Sequence, residues 1–152
     1  METVKLQYQE QETISDKIMN WTHNKKIPLA IQATRSPRKN NNIPQRGEIR
    51  WVEFGENIGS EMNNRHMGVV VSHGQFNRNN TATVVAITSN VQNYPTKFTL
   101  DATNYPCLKH DSAINVATIK NVATVRLDKK VGKLNNTDMD ILDATLKKYL
   151  GL

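Results

Sequence analysis

Apolar and polar positions follow three regimes along the chain. Near the amino terminus, Ile14, Ile18 and Trp21 recur at helical spacing, and Thr13 with Asp16 forms a capping-box pattern, so a helix is predicted over residues 13–23. Upstream, Val4, Leu6 and Tyr8 alternate, which leaves residues 3–12 open between helix and strand. Lys25-Lys26-Ile27-Pro28 reads as a helix break, and the stretch from Ser36 to Pro44 has two prolines and no apolar period, the signature of an exposed linker.

From Gln45 onward the period shortens to two. Ile49, Trp51 and Glu53 alternate with Arg50, Val52 and Phe54. Gly68-Val69-Val70-Val71-Ser72, Thr83-Val84-Val85-Ala86-Ile87-Thr88 and Lys97-Phe98-Thr99-Leu100 read as short strands, as do residues 113–117 and 120–126. Polar loops separate them at 55–64 and 73–80. Strands with no helices between them argue against a parallel sheet and predict a mainly β fold, a small open antiparallel barrel. The third regime is helical again. Asn136-Thr137-Asp138 supplies a cap, with Thr137 and Asp140 as the box, and Met139, Leu142, Leu146 and Leu150 form the apolar stripe. Lys147 and Lys148 suit the negative end of the helix, and Gly151 ends it.

A chain of 152 residues suits one domain with an appendage. The pattern divides it into a helical extension (1–32), a basic linker (33–45) and a barrel domain (46–152). The net charge is +6, from 20 basic and 14 acidic residues. Residues 1–46 contribute +4 of this and residues 47–152 only +2. A positive balance favours polyanionic partners without requiring them. The single cysteine, Cys107, excludes an internal disulfide and a multi-cysteine zinc site. No apolar run approaches the roughly 20 residues of a membrane span, and the opening residues lack the apolar core of a signal peptide, so a reducing cytoplasm is the expected location.

Several chemistries are excluded. There is no phosphate-cradling glycine loop, and no serine elbow of the Gly-x-Ser-x-Gly kind. His23, His66, His73 and His110 show no metal-ligand spacing. What remains is a set of polar residues at strand ends. Arg65 enters one predicted strand, and Thr88 and Ser89 leave the next.

These residues carry a resemblance. Arg46-Gly47-Glu48-Ile49, Gly59-Ser60-Glu61, Arg65 ahead of an apolar strand, Ala86-Ile87-Thr88-Ser89, Asp111-Ser112, Arg126-Leu127 and Leu150-Gly151-Leu152 fall in the order and spacing of the MazF/PemK/Kid endoribonuclease toxins of bacterial toxin–antitoxin systems. The interval of 23 positions from Arg65 to Thr88 matches that family without a gap. The chain departs from it at His66, where the family has proline, and at Ala117-Thr118-Ile119-Lys120-Asn121, which replaces a Glu-Gln-Ile-Arg-Thr segment. Residues 1–44 lie outside the resemblance.

The resemblance implies an SH3-like open barrel of the CcdB/MazF type with a carboxy-terminal helix, here carrying an extra amino-terminal helix. It implies a homodimeric, cytoplasmic bacterial toxin that cuts single-stranded RNA without metal or cofactor and is neutralised by a cognate antitoxin. Attack by the ribose 2′-hydroxyl would leave a 2′,3′-cyclic phosphate and a 5′-hydroxyl. Arg65 is then the principal stabiliser of phosphorane charge and Thr88 a hydroxyl donor, with Ser89 as helper. Glu61 and His66 are both candidates for the general base. Trp51, Ser60, Arg78 and Lys120 are the candidate RNA contacts, with Phe54 a second possible stacking ring and Lys97 a further phosphate contact. A non-catalytic member of the same fold, binding nucleic acid or poisoning gyrase as CcdB toxins do, is the alternative.

Overall fold

The computed structural model describes residues 2–35 and 42–152, with side chains from Gln9 onward. Six strands form one antiparallel sheet: β1 (Glu48–Glu53), β2 (Arg65–Val70), β3 (Thr81–Thr88), β4 (Lys97–Leu100), β5 (Ser112–Ala123) and β6 (Leu127–Lys133). Their spatial order is β4-β5-β3-β2-β1-β6. The amino-terminal helices are α1 (Glu2–Trp21) and α2 (Ile27–Arg35), and α3 (Asn136–Leu150) closes the chain.

Both faces of the sheet are buried. One carries Ile49, Val69, Val71, Val85, Ile87, Ile114 and Val116 and is covered by α3 through Leu142, with Met139 and Leu146 packed alongside. The other gathers Val52, Phe54, Val70, Ala82, Val84, Ala86 and Val122, with Met62 and Leu127 at its margin. Among the described residues no helix contributes to this second cluster, and strands β1, β2, β3, β5 and β6 curl around it. That curl makes the sheet an open barrel.

The curl has a local cause in β5. Val84 faces Lys120 whereas Ala86 faces Asn115, so β5 advances five residues where β3 advances two. The extra residues form a wide bulge that bends the strand. Inside it the Ala86 N–H has lost its ladder partner and donates instead to Thr118 Oγ1 at 2.7 Å, while that hydroxyl donates to the Asn115 carbonyl at 2.7 Å. The two short runs expected over 113–117 and 120–126 are therefore one strand with a bulge between them.

β6 was not evident from the alternation. Its Leu-Asp-Lys-Lys-Val-Gly-Lys sequence breaks the period of two, as suits a charged edge strand. The start of α3 also differs from the expected box. Asn135 is the N-cap, its Oδ1 accepting from the Asp138 N–H at 2.8 Å. Tyr105 seals the same end: its hydroxyl donates to Asp138 and accepts from the Asn135 N–H at 3.2 Å. Burial and the Asp138 carboxylate together push the Tyr105 phenol up to about 12. At the other end Gly151 adopts φ +71°, the left-handed cap, and its N–H reaches the Lys147 and Lys148 carbonyls.

The amino-terminal segment is more helical than its pattern implies. Residues 2–35 are helical throughout, and the break expected at 25–28 is a single widened π turn, Thr22–Lys26, in which the Ile27 N–H donates to the Thr22 carbonyl. Pro28 directly follows this turn, whose wider spacing accommodates a residue without an N–H inside the helix. No helix among the described residues is long and apolar enough to cross a membrane.

Candidate active site

β2 begins with Arg65 and the antiparallel β3 ends with Thr88, so both residues stand at the same end of neighbouring strands. The loop of residues 55–64 leads into this end. Its neck is closed by the Phe54 N–H on the Asn64 carbonyl (2.9 Å) and the Asn64 N–H on the Gly55 carbonyl (2.8 Å). Asn57 braces its interior, donating to the Phe54 and Met62 carbonyls at 3.0 and 2.7 Å.

The Arg65 guanidinium is held from two sides. Its Cζ lies 4.8 Å from the centre of the Trp51 ring, and Nη2 pairs with the Asp128 carboxylate of β6. Trp51 pairs with Met67 across the β1–β2 ladder and Glu53 with Arg65, so the stacking is a diagonal contact on one face. The side chain remains 51% exposed. A guanidinium fixed in direction yet open to solvent suits an incoming anion.

Thr88 is half-buried, and its Oγ1 accepts from the Asn90 N–H at 3.2 Å. That bond uses a lone pair and leaves the hydroxyl proton for an acceptor outside. Ser89 beside it is exposed. Extending the Gly68–Ala86 pairing to the strand ends places His66 opposite Thr88 and Arg65 opposite Ser89. Alternation sends Arg65 to the side of Met67 and Val69, and Thr88 to the side of Ala86 and Val84. No hydrogen bond joins Arg65 and Thr88 among the described residues; they flank the sheet end from its two faces.

The other expected residues sort by position. His66 is half-buried with its ring 6.5 Å from that of Phe54, edge-on. Glu61 holds the loop, its carboxylate accepting from the Ile58 N–H at 3.1 Å, and Ser60 is exposed beside it. Lys120 reaches from β5 into this loop, donating to Asn57 Oδ1 at 3.2 Å. Lys97 opens the edge strand β4, opposite Asn115 of β5. Phe54 is fully buried and stacks no base. Arg78 lies in the short helical turn Phe76–Asn79 between β2 and β3, at the opposite end of that hairpin from Arg65.

Two partners escaped the sequence reading. Asp128 lies 63 positions from Arg65 on a strand without alternation. Trp21, assigned to a helix stripe, instead caps the end of β1. Its Nε1 donates to Glu53 Oε1 at 3.3 Å, and the Arg126 guanidinium stacks on its ring. A Cβ on Gly55 would meet the Trp21 ring at 2.7 Å, and Gly55 also has φ +97°, so glycine is required there twice over.

Among solved structures, the fold is similar to MazF from Deinococcus radiodurans (TM-score 0.65, 19% identity, covering 74% of this chain and all of that one). It is also similar to a mycobacterial endoribonuclease in complex with its cognate antitoxin (TM-score 0.59, 21% identity, 72% and 96% covered). These show that the chain has the MazF fold. The family model for the PemK-like, MazF-like toxin of type II toxin–antitoxin systems matches residues 45–150, and the chain belongs to that family. Endoribonuclease MazF9 of Mycobacterium tuberculosis is 36% identical over 115 residues, covering 71% of this chain and 97% of the relative. Endoribonuclease EndoA of Bacillus subtilis is 31% identical over 113 residues, with 72% and 97% covered.

Proposed function

We propose that this chain is an endoribonuclease, the toxin of a type II toxin–antitoxin pair, cleaving single-stranded RNA at the β2–β3 end of the barrel. The observation that carries the site assignment is the Arg65 guanidinium, aimed by Trp51 and Asp128 but open to solvent, at the sheet end shared with Thr88. The curated relatives are endoribonucleases over nearly their whole length, which disfavours the non-catalytic alternative.

The reaction uses the substrate's own nucleophile. The ribose 2′-hydroxyl attacks the adjacent phosphorus, the bond to the 5′-oxygen breaks, and the products are a 2′,3′-cyclic phosphate and a 5′-hydroxyl. Arg65 exchanges Asp128 for the nonbridging phosphate oxygens and holds the charge that grows on them in the transition state. Thr88 donates its hydroxyl proton to the same group from the other side of the strand end, and Ser89 assists. His66, opposite Thr88, and Glu61, in the loop before Arg65, are the candidates to accept the 2′-hydroxyl proton. Trp51, Ser60 and Lys120 border this end and contact the strand, while Arg78 faces RNA only beyond the far end of the hairpin.

The working unit is a homodimer in the bacterial cytoplasm, restrained by a cognate antitoxin. Residues 1–32 form an extension and 46–152 the toxin domain, joined through 33–45. The test is incubation with long RNA in EDTA, followed by sequencing of 5′-hydroxyl ends. Discrete cuts with cyclic-phosphate termini, lost in Arg65→Ala, support the reading; intact RNA across varied sequences defeats it.

A further inference from the structure

The toxin family is matched only from residue 45, yet the amino-terminal helix lies against the loop that precedes Arg65. Between helix and loop is a cleft of ≈ 610 Å³. Lys17 and Lys25 line the helix wall together with Asn20 and Asn24, and Asn63 and Asn64 line the loop wall. The helical period explains why one face carries all five helix residues: 17, 20, 21, 24 and 25 recur three or four positions apart, one turn after another. Trp21 lies between the walls, and Glu56 is the one carboxylate on the lining. Both lysines are exposed, and neither makes an ion pair among the described residues, where the pairs are Arg46–Asp143, Arg50–Glu48 and Arg65–Asp128.

This cleft adjoins the proposed active site covalently and through the ladder. Asn64 is the residue before Arg65, and Glu53, which holds the Trp21 indole, is the cross-strand partner of Arg65. A polar channel with two unpaired cations and a row of carboxamides suits one ligand class well. Ammonium groups track phosphates; Asn24 donates to Asn20 and Asn63 Oδ1 accepts from the Asn57 N–H at 2.6 Å, which holds these amides in place and leaves the Asn63 amide donors for sugar hydroxyls and base edges.

We infer that the amino-terminal helix supplies an accessory single-stranded RNA subsite, in which Lys17 and Lys25 bind phosphates flanking the one cleaved at Arg65. The inference rests on RNA being the substrate. It makes the extension a determinant of how long a stretch of RNA the enzyme grips, not of the bond-breaking step.

The test compares the full-length chain with Lys17→Gln/Lys25→Gln on two RNAs sharing one mapped cut site, a hexamer and a 20-mer. The expected result is that KM for the 20-mer rises about fivefold relative to that for the hexamer, because two phosphate contacts are lost. The slope of log affinity for the 20-mer against log salt falls by about 1.4, at roughly 0.7 per phosphate contact on a single strand. Lys17→Arg/Lys25→Arg restores both quantities. An unchanged KM ratio in an active Gln variant overturns the inference and leaves the endoribonuclease reading intact. So does a Gln variant that loses antitoxin affinity with its KM ratio unchanged, which assigns the cleft to a protein partner. A wild-type chain that cuts no RNA overturns both.

Discussion

Two arginine–carboxylate pairs lie on adjacent strands and behave oppositely. In β1, Arg50 binds Glu48 at 2.8–2.9 Å with the side chains only 4% and 10% exposed. Its remaining donors reach the Asp128 carbonyl at 3.0 Å and Asn42 Oδ1 at 3.2 Å, so every direction of the guanidinium is occupied. In β2, Arg65 has one carboxylate and one aromatic face, with 51% and 58% exposure across the pair. The first pair ties the chain entering the barrel to the edge strand β6. The second leaves donors open at the sheet end. Both touch Asp128, one through its backbone and the other through its carboxylate, so a single residue of β6 separates architecture from chemistry.

Substitutions sharpen that contrast. The largest expected effect is on stability. Arg50→Ala leaves the Glu48 carboxylate buried without its partner and lowers unfolding free energy by about 3–5 kcal/mol, readable as an early denaturant midpoint. Arg65→Ala should do the reverse, unfolding within about 1 kcal/mol of the parent because an exposed pair contributes little. Its kcat should fall by about 10²–10³, the cost of removing one preorganised charge stabiliser. If Arg65→Ala unfolds the protein as Arg50→Ala does, the contrast is false.

Smaller effects refine it. Asp128→Asn removes a competitor for the Arg65 guanidinium and keeps the backbone carbonyl used by Arg50, so KM for RNA should fall, by up to about fivefold, within the range of an exposed pair. A rise in KM would mean that Asp128 aims Arg65 more than it obstructs it. The smallest effect comes from Tyr105, whose phenol is pushed up to about 12. An unfolded tyrosine ionises near 10, so stability from this contact is complete below pH 10 and is lost as pH rises towards 12. Tyr105→Phe should flatten the unfolding profile over that window alone.

The strand core was legible because Val69, Val85 and Ile114 alternate with residues of the other face, and the apolar stripe of α3 has a clean helical period. β6 was not, because Asp128, Lys129 and Lys130 occupy positions where an edge strand tolerates charge and an apolar alternation is absent. Arg65 and Thr88 were singled out through their spacing and setting, which resemble those of a known family. Asp128 and Trp21 were not, since a cross-barrel ion pair and a helix docked on Gly55 depend on tertiary closure that no local period encodes. The continuous helix over residues 2–35 was missed for a related reason: a π turn absorbs a proline that ordinarily ends a helix.

The Thr118 hydroxyl stands in for a missing backbone partner at the bend of β5. A corner fastened by a side chain is adjustable in a way that one fastened by peptide groups is not. A single replacement there can reset the bend of the strand with no insertion or deletion. The bend of the barrel wall is thus open to change by one side chain while the interior stays untouched.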